Sequence, residues 1–187
     1  AVLMTPAFHA VGLLHHPKKP ESLTLAGEMA DYLRAHACEV WSGSAWDEPD
    51  ALAHVAELDL LITLGGDGTI LRAARLGSRY SVPLLGVKLG RVSFLGEIMP
   101  DNWREPLARL LAGDYWLEER MLLNVSVTRA AEAPLTERTA DNPRRLPSPT
   151  NHSYLALNEV VVSRGDLARL ITVEAWVDQN YLTRYRA

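Results

Sequence analysis

The stretch that decides the fold is Leu58-Asp59-Leu60-Leu61-Ile62-Thr63-Leu64, followed at once by Gly65-Gly66-Asp67-Gly68. The first seven residues are nearly all apolar, and such a run predicts a strand that is buried on both faces of a parallel sheet. The glycines then break the strand, and residues 69–76 predict a helix that ends at Gly77. Glycine tolerates positive φ angles and lets a ligand approach the backbone closely. This part of the chain therefore predicts an α/β unit with a ligand-binding turn.

Strand-like and helix-like segments alternate on both sides of this turn. The predicted strands cover residues 9–15, 38–41 and 83–87, and the predicted helices cover residues 21–37, 47–57 and 102–111. Strands that alternate with helices usually form a mainly parallel sheet with helices on both faces. Residues 1–115 are therefore expected to form a Rossmann-like α/β domain.

The pattern changes near Tyr115. The alternation over residues 122–128 and the runs at 154–162 and 170–177 predict strands, with a hairpin turn at 178–180. The proline-rich residues 130–151 are expected to form an exposed, partly disordered loop. Residues 116–187 are therefore expected to form a second, β-rich domain.

The composition excludes several classes of protein. The chain has 187 residues, of which 48% are hydrophobic and 22% charged, and its formal net charge is −4. A mildly acidic chain is a poor candidate for a nucleic-acid partner. No apolar run approaches the roughly 18 residues of a membrane span, and no secretory leader is recognisable. The single cysteine, Cys38, cannot form an internal disulfide, which is typical of a reducing compartment. These features favour a cytoplasmic globular protein.

Asp67 is the residue in the turn that suggests chemistry. A helix that begins here offers free N–H groups and a positive dipole end, which favour a phosphate. A carboxylate repels phosphate, so its presence makes sense if it accepts a proton from an attacking hydroxyl or holds a divalent metal. The structural alternative is a tight turn in which Asp67 caps the helix. Neither a Walker A loop nor a dinucleotide fingerprint is present, because the required Lys and glycine spacing are missing.

Three motifs occur in the order in which NAD kinases carry them. Residues 64–75, Leu-Gly-Gly-Asp-Gly-Thr-Ile-Leu-Arg-Ala-Ala-Arg, resemble the first signature of that family, and residues 85–95 resemble its second glycine-rich stretch. Residues 157–161, Leu-Asn-Glu-Val-Val, resemble its Asn-Glu motif. Residues 185–187 resemble the opening of the segment that leads into a further motif, rich in Thr and Gly. The Gly-Gly-Asp-Gly element alone also resembles diacylglycerol and sphingosine kinases. The Asn-Glu element selects NAD kinase among these.

The resemblance implies an activity and a fold. The activity is transfer of a phosphoryl group from ATP or polyphosphate to the 2′-hydroxyl of the adenosine ribose of NAD, giving NADP, assisted by a divalent cation such as Mg²⁺. The metal-binding residues are not identifiable from the sequence. The implied fold pairs the α/β domain with a β-sandwich, and the implied assembly is a homo-oligomer. Because the family would continue beyond Ala187, the β-rich domain is expected to be incomplete. The chain is expected to be a fragment, and the alternative is a naturally shortened homologue.

The resemblance also assigns roles to individual residues. Asp67 matches the proposed general base, Gly68 lies against the same nucleotide, and Arg72 matches a nucleotide-contacting position. The dinucleotide would be held by four more residues: Asn158, Glu159, Arg169 and Arg186. The structural alternatives, without a binding role, are a strand-edge polar pair for Asn158 and Glu159 and solvated side chains for the arginines. Phe94 resembles an aromatic residue that lines the adenine pocket, although a core position is equally compatible with the sequence.

Two positions depart from the family pattern. Lys88 stands where the second motif usually has Asn, and Ser93 stands where it usually has Gly. Lys88 is expected to pair with a phosphate or with Asp67, or to alter the fit of the cofactor. Two other functions stay open at this point. One is a lipid kinase of the diacylglycerol kinase type, and the other is a catalytically inactive nucleotide-binding homologue.

Overall fold

The computed structural model describes residues 6–90, 93–129, 150–162 and 171–186. Its contacts divide the chain into two compact units. The first contains Ala1–Asn124 and Leu155–Leu157, and the second contains Val125–Tyr154 and Asn158–Ala187. Within the described ranges, no helix is both long enough and apolar enough to cross a membrane. The division of the chain into domains at residues 115 and 116 stays a prediction.

The first unit is built on a parallel sheet of four strands in the order β2-β1-β3-β4. Strands and helices alternate along the chain, so each pair of strands is joined by a crossover helix. This arrangement confirms the predicted α/β architecture. The elements in chain order are β1 Ala10–His15, α1 Pro20–Ala35, β2 Glu39–Ser44, α2 Glu48–Val55, β3 Leu60–Gly65, α3 Asp67–Gly77, β4 Leu84–Lys88 and α4 Arg104–Leu111.

Both faces of this sheet are covered, as the apolar run before the glycine-rich turn predicts. Every residue of β3 is buried. Alternate strand residues point to opposite faces, so Ile62 packs into one core cluster with Met29 of α1 and Leu107 of α4. Leu61 packs into a second cluster with residues of α2 and α3. Helices therefore lie on both faces of the sheet. β3, which leads into the glycine-rich turn, is held between these two layers of helices.

The part of the chain after α4 is β-rich, as predicted, and its four strands form two sheets of two strands each. β5 Leu123–Arg129 pairs with β6 Thr150–Ala156, and β7 Thr172–Val177 pairs antiparallel with β8 Asn180–Arg186. Asp178 and Gln179 form the hairpin turn with φ angles of 48° and 68°. This confirms an α/β part followed by a β-rich part.

The predicted strand at 154–162 is wrong in its bounds. β6 begins at Thr150 and ends at Ala156, so residues 157–162 follow the strand. Two residues predicted to be loop, Thr150 and Asn151, belong to the strand, whereas 130–149 lie outside the described residues. Pairing with β5 decides where β6 runs, because strand formation depends on the partner strand more than on the apolarity of a segment.

Trp103 anchors α4 to the sheet, and its removal should cost much stability. Its side chain is 2% exposed and meets Tyr32 of α1 edge-on, with 5.3 Å between ring centroids. We expect Trp103→Ala to lower the free energy of unfolding by about 3–5 kcal/mol, because it leaves a large cavity. Trp116 is 85% exposed and provides the matched control, for which Trp116→Ala should change stability by less than about 0.5 kcal/mol. Urea unfolding of both variants measures the difference, and equal losses would contradict this assignment of the core.

Candidate functional site

The glycine-rich turn lies at the carboxyl edge of the parallel sheet. β1, β3 and β4 end there at His15, Gly65 and Lys88. β1 and β3 are neighbours, and the chain continues from them to opposite sides, to β2 and to β4. In open α/β sheets, ligands bind outside the carboxyl ends of the strands where the strand order reverses in this way. The turn therefore occupies the position at which this fold class binds its ligands.

The three glycines of the turn serve two different purposes. A Cβ at Gly65 would clash with the side chain of Thr69, so glycine at this position allows β3 and α3 to pack closely. A Cβ at Gly66 or at Gly68 would meet no atom within 4 Å, so the backbone there faces open space. The expectation that positive φ angles explain these glycines is wrong, because none of the three has one. What the turn supplies instead is bare backbone at the start of α3.

Asp67 does not cap α3. The helix begins at Asp67 itself, and the N-cap residue is Gly66, which has no side chain to cap this helix end. The carboxylate instead accepts hydrogen bonds from the loop after β4, at 2.5 Å from Ser93 Oγ, 3.2 Å from Phe94 N and 3.3 Å from Leu95 N. The structural alternative of a helix cap is therefore wrong. The carboxylate joins the first and second glycine-rich stretches of the sequence.

These hydrogen bonds control the protonation state of Asp67. The hydroxyl of Ser93 lowers the pKa of the carboxyl most strongly, followed by the N–H of Phe94. The charge of Lys88 also lowers this pKa, although no hydrogen bond joins the two side chains. Donors that bind the charged form stabilise it relative to the neutral acid. Asp67 is therefore ionised at neutral pH.

The loop that contacts Asp67 is fixed to β4 by its backbone. The N–H groups of Glu97 and Ile98 both donate to the carbonyl of Gly86, at 2.8 and 3.0 Å. A Cβ at Gly86 would lie 2.9 Å from the carbonyl oxygen of Leu95, and one at Gly96 would lie 2.7 Å from Cβ of Lys88. Glycine is needed at these two positions because the loop and β4 touch almost backbone to backbone. The donors to Asp67 are therefore held in place by the sheet.

Arg72 lies one turn into α3 and is held by an aromatic side chain that the sequence did not single out. Its guanidinium carbon is 4.6 Å from the ring centroid of Trp46, and the same ring is 4.4 Å from the ring of His16. Such a contact contributes about 0.5–1 kcal/mol when partly exposed. His16 and Trp46 follow the carboxyl ends of β1 and β2. The sequence held one signal for this contact, which is that the aromatic residue Trp46 follows a predicted strand at the ligand-binding edge of the sheet.

The remaining predicted site residues belong to the second unit. Asn158 and Glu159 are exposed and follow the end of β6, so they are not a strand-edge pair. Arg186 is exposed at the end of β8, and Arg169 lies outside the described residues. Phe94, in the first unit, is 86% exposed, so a core role for it is wrong. Within the first unit, the structure thus brings Asp67 together with the loop of the second motif.

Sequence comparison relates the chain to NAD kinases. Residues 48–115 match the family model described as ATP-NAD kinase N-terminal domain. The NAD kinase of Chloroflexus aurantiacus is 36% identical over 177 residues, which cover 95% of this chain and 58% of that relative. The NAD kinase of Heliobacterium modesticaldum is 38% identical over 186 residues, with 95% and 59% covered. The chain therefore spans somewhat more than half the length of these curated relatives.

Structural comparison supports the fold. The crystal structure of yeast NADH kinase complexed with NADH superposes with a TM-score of 0.71 at 19% sequence identity. The superposition covers 98% of this chain and 56% of that one. At this identity the likeness shows a shared architecture. Taken with the sequence matches, which include the turn carrying Asp67, it shows that the chain is similar to NAD kinases over more than half of their length.

Proposed function

We propose that the protein transfers a phosphoryl group from ATP or polyphosphate to the 2′-hydroxyl of the adenosine ribose of NAD, giving NADP. One observation carries the proposal. An ionised carboxylate, that of Asp67, lies beside the uncapped beginning of α3 at the ligand-binding edge of the sheet. A proton acceptor and a phosphate-binding helix end are the two groups that phosphoryl transfer to a hydroxyl requires.

The reaction assigns a task to each of these groups. The ribose hydroxyl attacks the terminal phosphorus of ATP, the bond from that phosphorus to the bridging oxygen breaks, and ADP leaves. Asp67 accepts the proton of the hydroxyl. Because its pKa is lowered, it is a weak base, and the proton moves as the new phosphorus–oxygen bond makes the hydroxyl more acidic. The open backbone at Gly66 and Gly68 admits the nucleotide to this carboxylate.

The other predicted site residues hold the two nucleotides. Arg72, which lies over the ring of Trp46, pairs with a phosphate, for which its planar guanidinium is suited. The amide of Asn158 and the carboxylate of Glu159 bind base or ribose edges of NAD. Arg169 and Arg186 contact the dinucleotide. These four assignments in the second unit rest on the resemblance of their positions to the family's motifs.

With ATP as the donor, Mg²⁺ would be held mainly by the phosphates of ATP and would neutralise their charge. Among the described residues there is no group of three or more His, Cys, Asp or Glu side chains that could hold a metal. Mg²⁺ commonly binds substrate phosphates and water with only one or two carboxylates, so the donor set fits a cation delivered by ATP. We further propose that the protein is a homo-oligomer, as the family resemblance implies, and that it works in the cytoplasm, which its single cysteine favours.

The choice of acceptor tests this function against that of a lipid kinase. The protein expressed from its complete reading frame is incubated with ATP labelled in the γ-phosphate, Mg²⁺, and either NAD or diacylglycerol in mixed micelles. We expect label in NADP and none in phosphatidic acid. Label in the lipid alone would overturn the proposal in favour of the lipid kinase, and binding of NAD without transfer would favour an inactive homologue.

A further inference from the structure

The hydroxyl of Ser93 has a fixed direction. Its oxygen accepts the N–H of Gly96 at 2.9 Å and lies 2.5 Å from Oδ1 of Asp67. A serine hydroxyl has a single proton. An ionised carboxylate offers no proton, so the contact with Asp67 forms only if Ser93 donates. The backbone N–H of Gly96 thus polarises a hydroxyl that points at Asp67.

The donors around Asp67 are distributed unequally between its two oxygens. Oδ1 accepts from Ser93 Oγ, Phe94 N and Leu95 N. Among the described residues, which leave out 91 and 92, the one donor to Oδ2 is the shared N–H of Phe94, at 3.2 Å. Each oxygen has about two lone-pair sites, so Oδ1 is saturated and Oδ2 retains acceptor capacity. The arrangement orients the carboxylate with one particular oxygen ready for a further proton donor.

Ser93 is linked to the sheet through the hydrogen bond that its oxygen accepts from Gly96. Gly96, which donates to Ser93, packs against Cβ of Lys88, and the next two residues bind the carbonyl of Gly86. The charged group that faces the carboxylate from β4 is Lys88, which acts on it by its charge alone. The charge of Lys88 does not orient the carboxylate of Asp67, whereas the hydrogen bond from the hydroxyl of Ser93 does.

From this geometry we propose that Ser93 is a positioning residue, which holds Oδ1 of Asp67 so that Oδ2 accepts the proton of the acceptor hydroxyl. The inference rests on the proposed kinase function. It assigns a task to the position at which this chain departs from the glycine typical of the second motif. A glycine there has no hydroxyl to donate, so this chain adds a side-chain donor to the backbone N–H groups of the loop.

The test compares Ser93→Ala with Ser93→Thr, which keeps the hydroxyl. Ser78→Ala is the matched control, since the Ser78 hydroxyl donates to the carbonyl of Arg75 at the other end of α3 from Asp67. The first readout is the ¹³C shift of the Asp67 carboxyl carbon, titrated in the protein without ligands. The second is the pH profile of kcat and of KM for NAD. The hydroxyl lowers the pKa of Asp67, so its loss raises that pKa and moves the acidic limb of kcat to higher pH.

We expect Ser93→Ala to raise the titration midpoint of Asp67 and to lower kcat roughly 10-fold, the effect of losing one hydrogen bond to a charged group. KM for NAD should change little, and in Ser93→Thr the titration midpoint and kcat should both stay near the parent values.

An unchanged midpoint in Ser93→Ala, or an unchanged kcat in that variant of an active enzyme, would overturn the inference. If the parent makes no NADP, the kinase proposal fails while the titration still tests the positioning. If Ser93→Ala does not fold, Ser93→Cys, a weaker donor of similar size, should show an intermediate midpoint, and a parental midpoint would overturn the inference.

Discussion

Replacing Asp67 by Asn should reduce the rate of NADP formation by roughly 100-fold or more, because the amide cannot accept the proton of the ribose hydroxyl. The amide oxygen of Asn still accepts the hydrogen bonds from Ser93, Phe94 and Leu95, so the loop after β4 should keep its place. We therefore expect KM for NAD to change little. Steady-state kinetics with ATP and Mg²⁺ measure both values.

Asp47→Asn provides the matched control for this variant. Asp47 is a true helix cap, whose carboxylate accepts the N–H of Asp50 at 3.2 Å at the start of α2. Asn is also a good N-cap residue, so Asp47→Asn should leave both stability and turnover near the parent values. Near-normal turnover in Asp67→Asn would contradict a proton-accepting role and leave Asp67 as a support for the loop alone.

Gly68→Ala should separate stability from activity. Gly68 is the second residue of α3, and a Cβ there meets no protein atom within 4 Å. Alanine is the better helix former by up to about 1 kcal/mol, so the variant should be as stable as the parent or more so. If the nucleotide approaches this bare backbone, the added methyl displaces it, and a displacement of about 1 Å can cost roughly 100-fold in rate.

Gly27→Ala is the control for Gly68→Ala. Gly27 lies in α1 and is exposed, and a Cβ added there would also meet no atom within 4 Å. Both variants should melt at or above the parent temperature, whereas only Gly68→Ala should lose NADP formation. Full activity of Gly68→Ala would show that no ligand contacts the turn at that residue.

The sequence predicted the sheet well because its signals are local. The apolar run at β3 and the glycine-rich turn are contiguous, and every residue of β3 is buried as expected. β6 was misplaced because its start depends on pairing with β5, and pairing joins residues that are distant in the sequence. The same reason explains why the apolar residues 160–162 lie outside a strand. Strand bounds in the β-rich part could not be derived from one segment alone.

The site was predicted in part. Asp67 was identified from its place in the turn, but the sequence did not show that its partner is a loop 26 residues away. Ser93 was noticed as a departure from the family pattern, and only the structure shows that its hydroxyl meets Asp67. Trp46 was missed as a support for Arg72, because the contact joins the ends of different elements. Side-chain contacts across the carboxyl edge depend on strand order, which periodicity does not encode.

The most direct test of the central claim is the position of the new phosphate. The protein expressed from its complete reading frame is given NAD with ATP and Mg²⁺, and in parallel with polyphosphate, and the product is assigned by ³¹P NMR. We predict a phosphomonoester on the 2′-hydroxyl of the adenosine ribose, formed by the parent and reduced roughly 100-fold in Asp67→Asn. A folded protein that binds NAD and forms no such product with either donor would contradict the account.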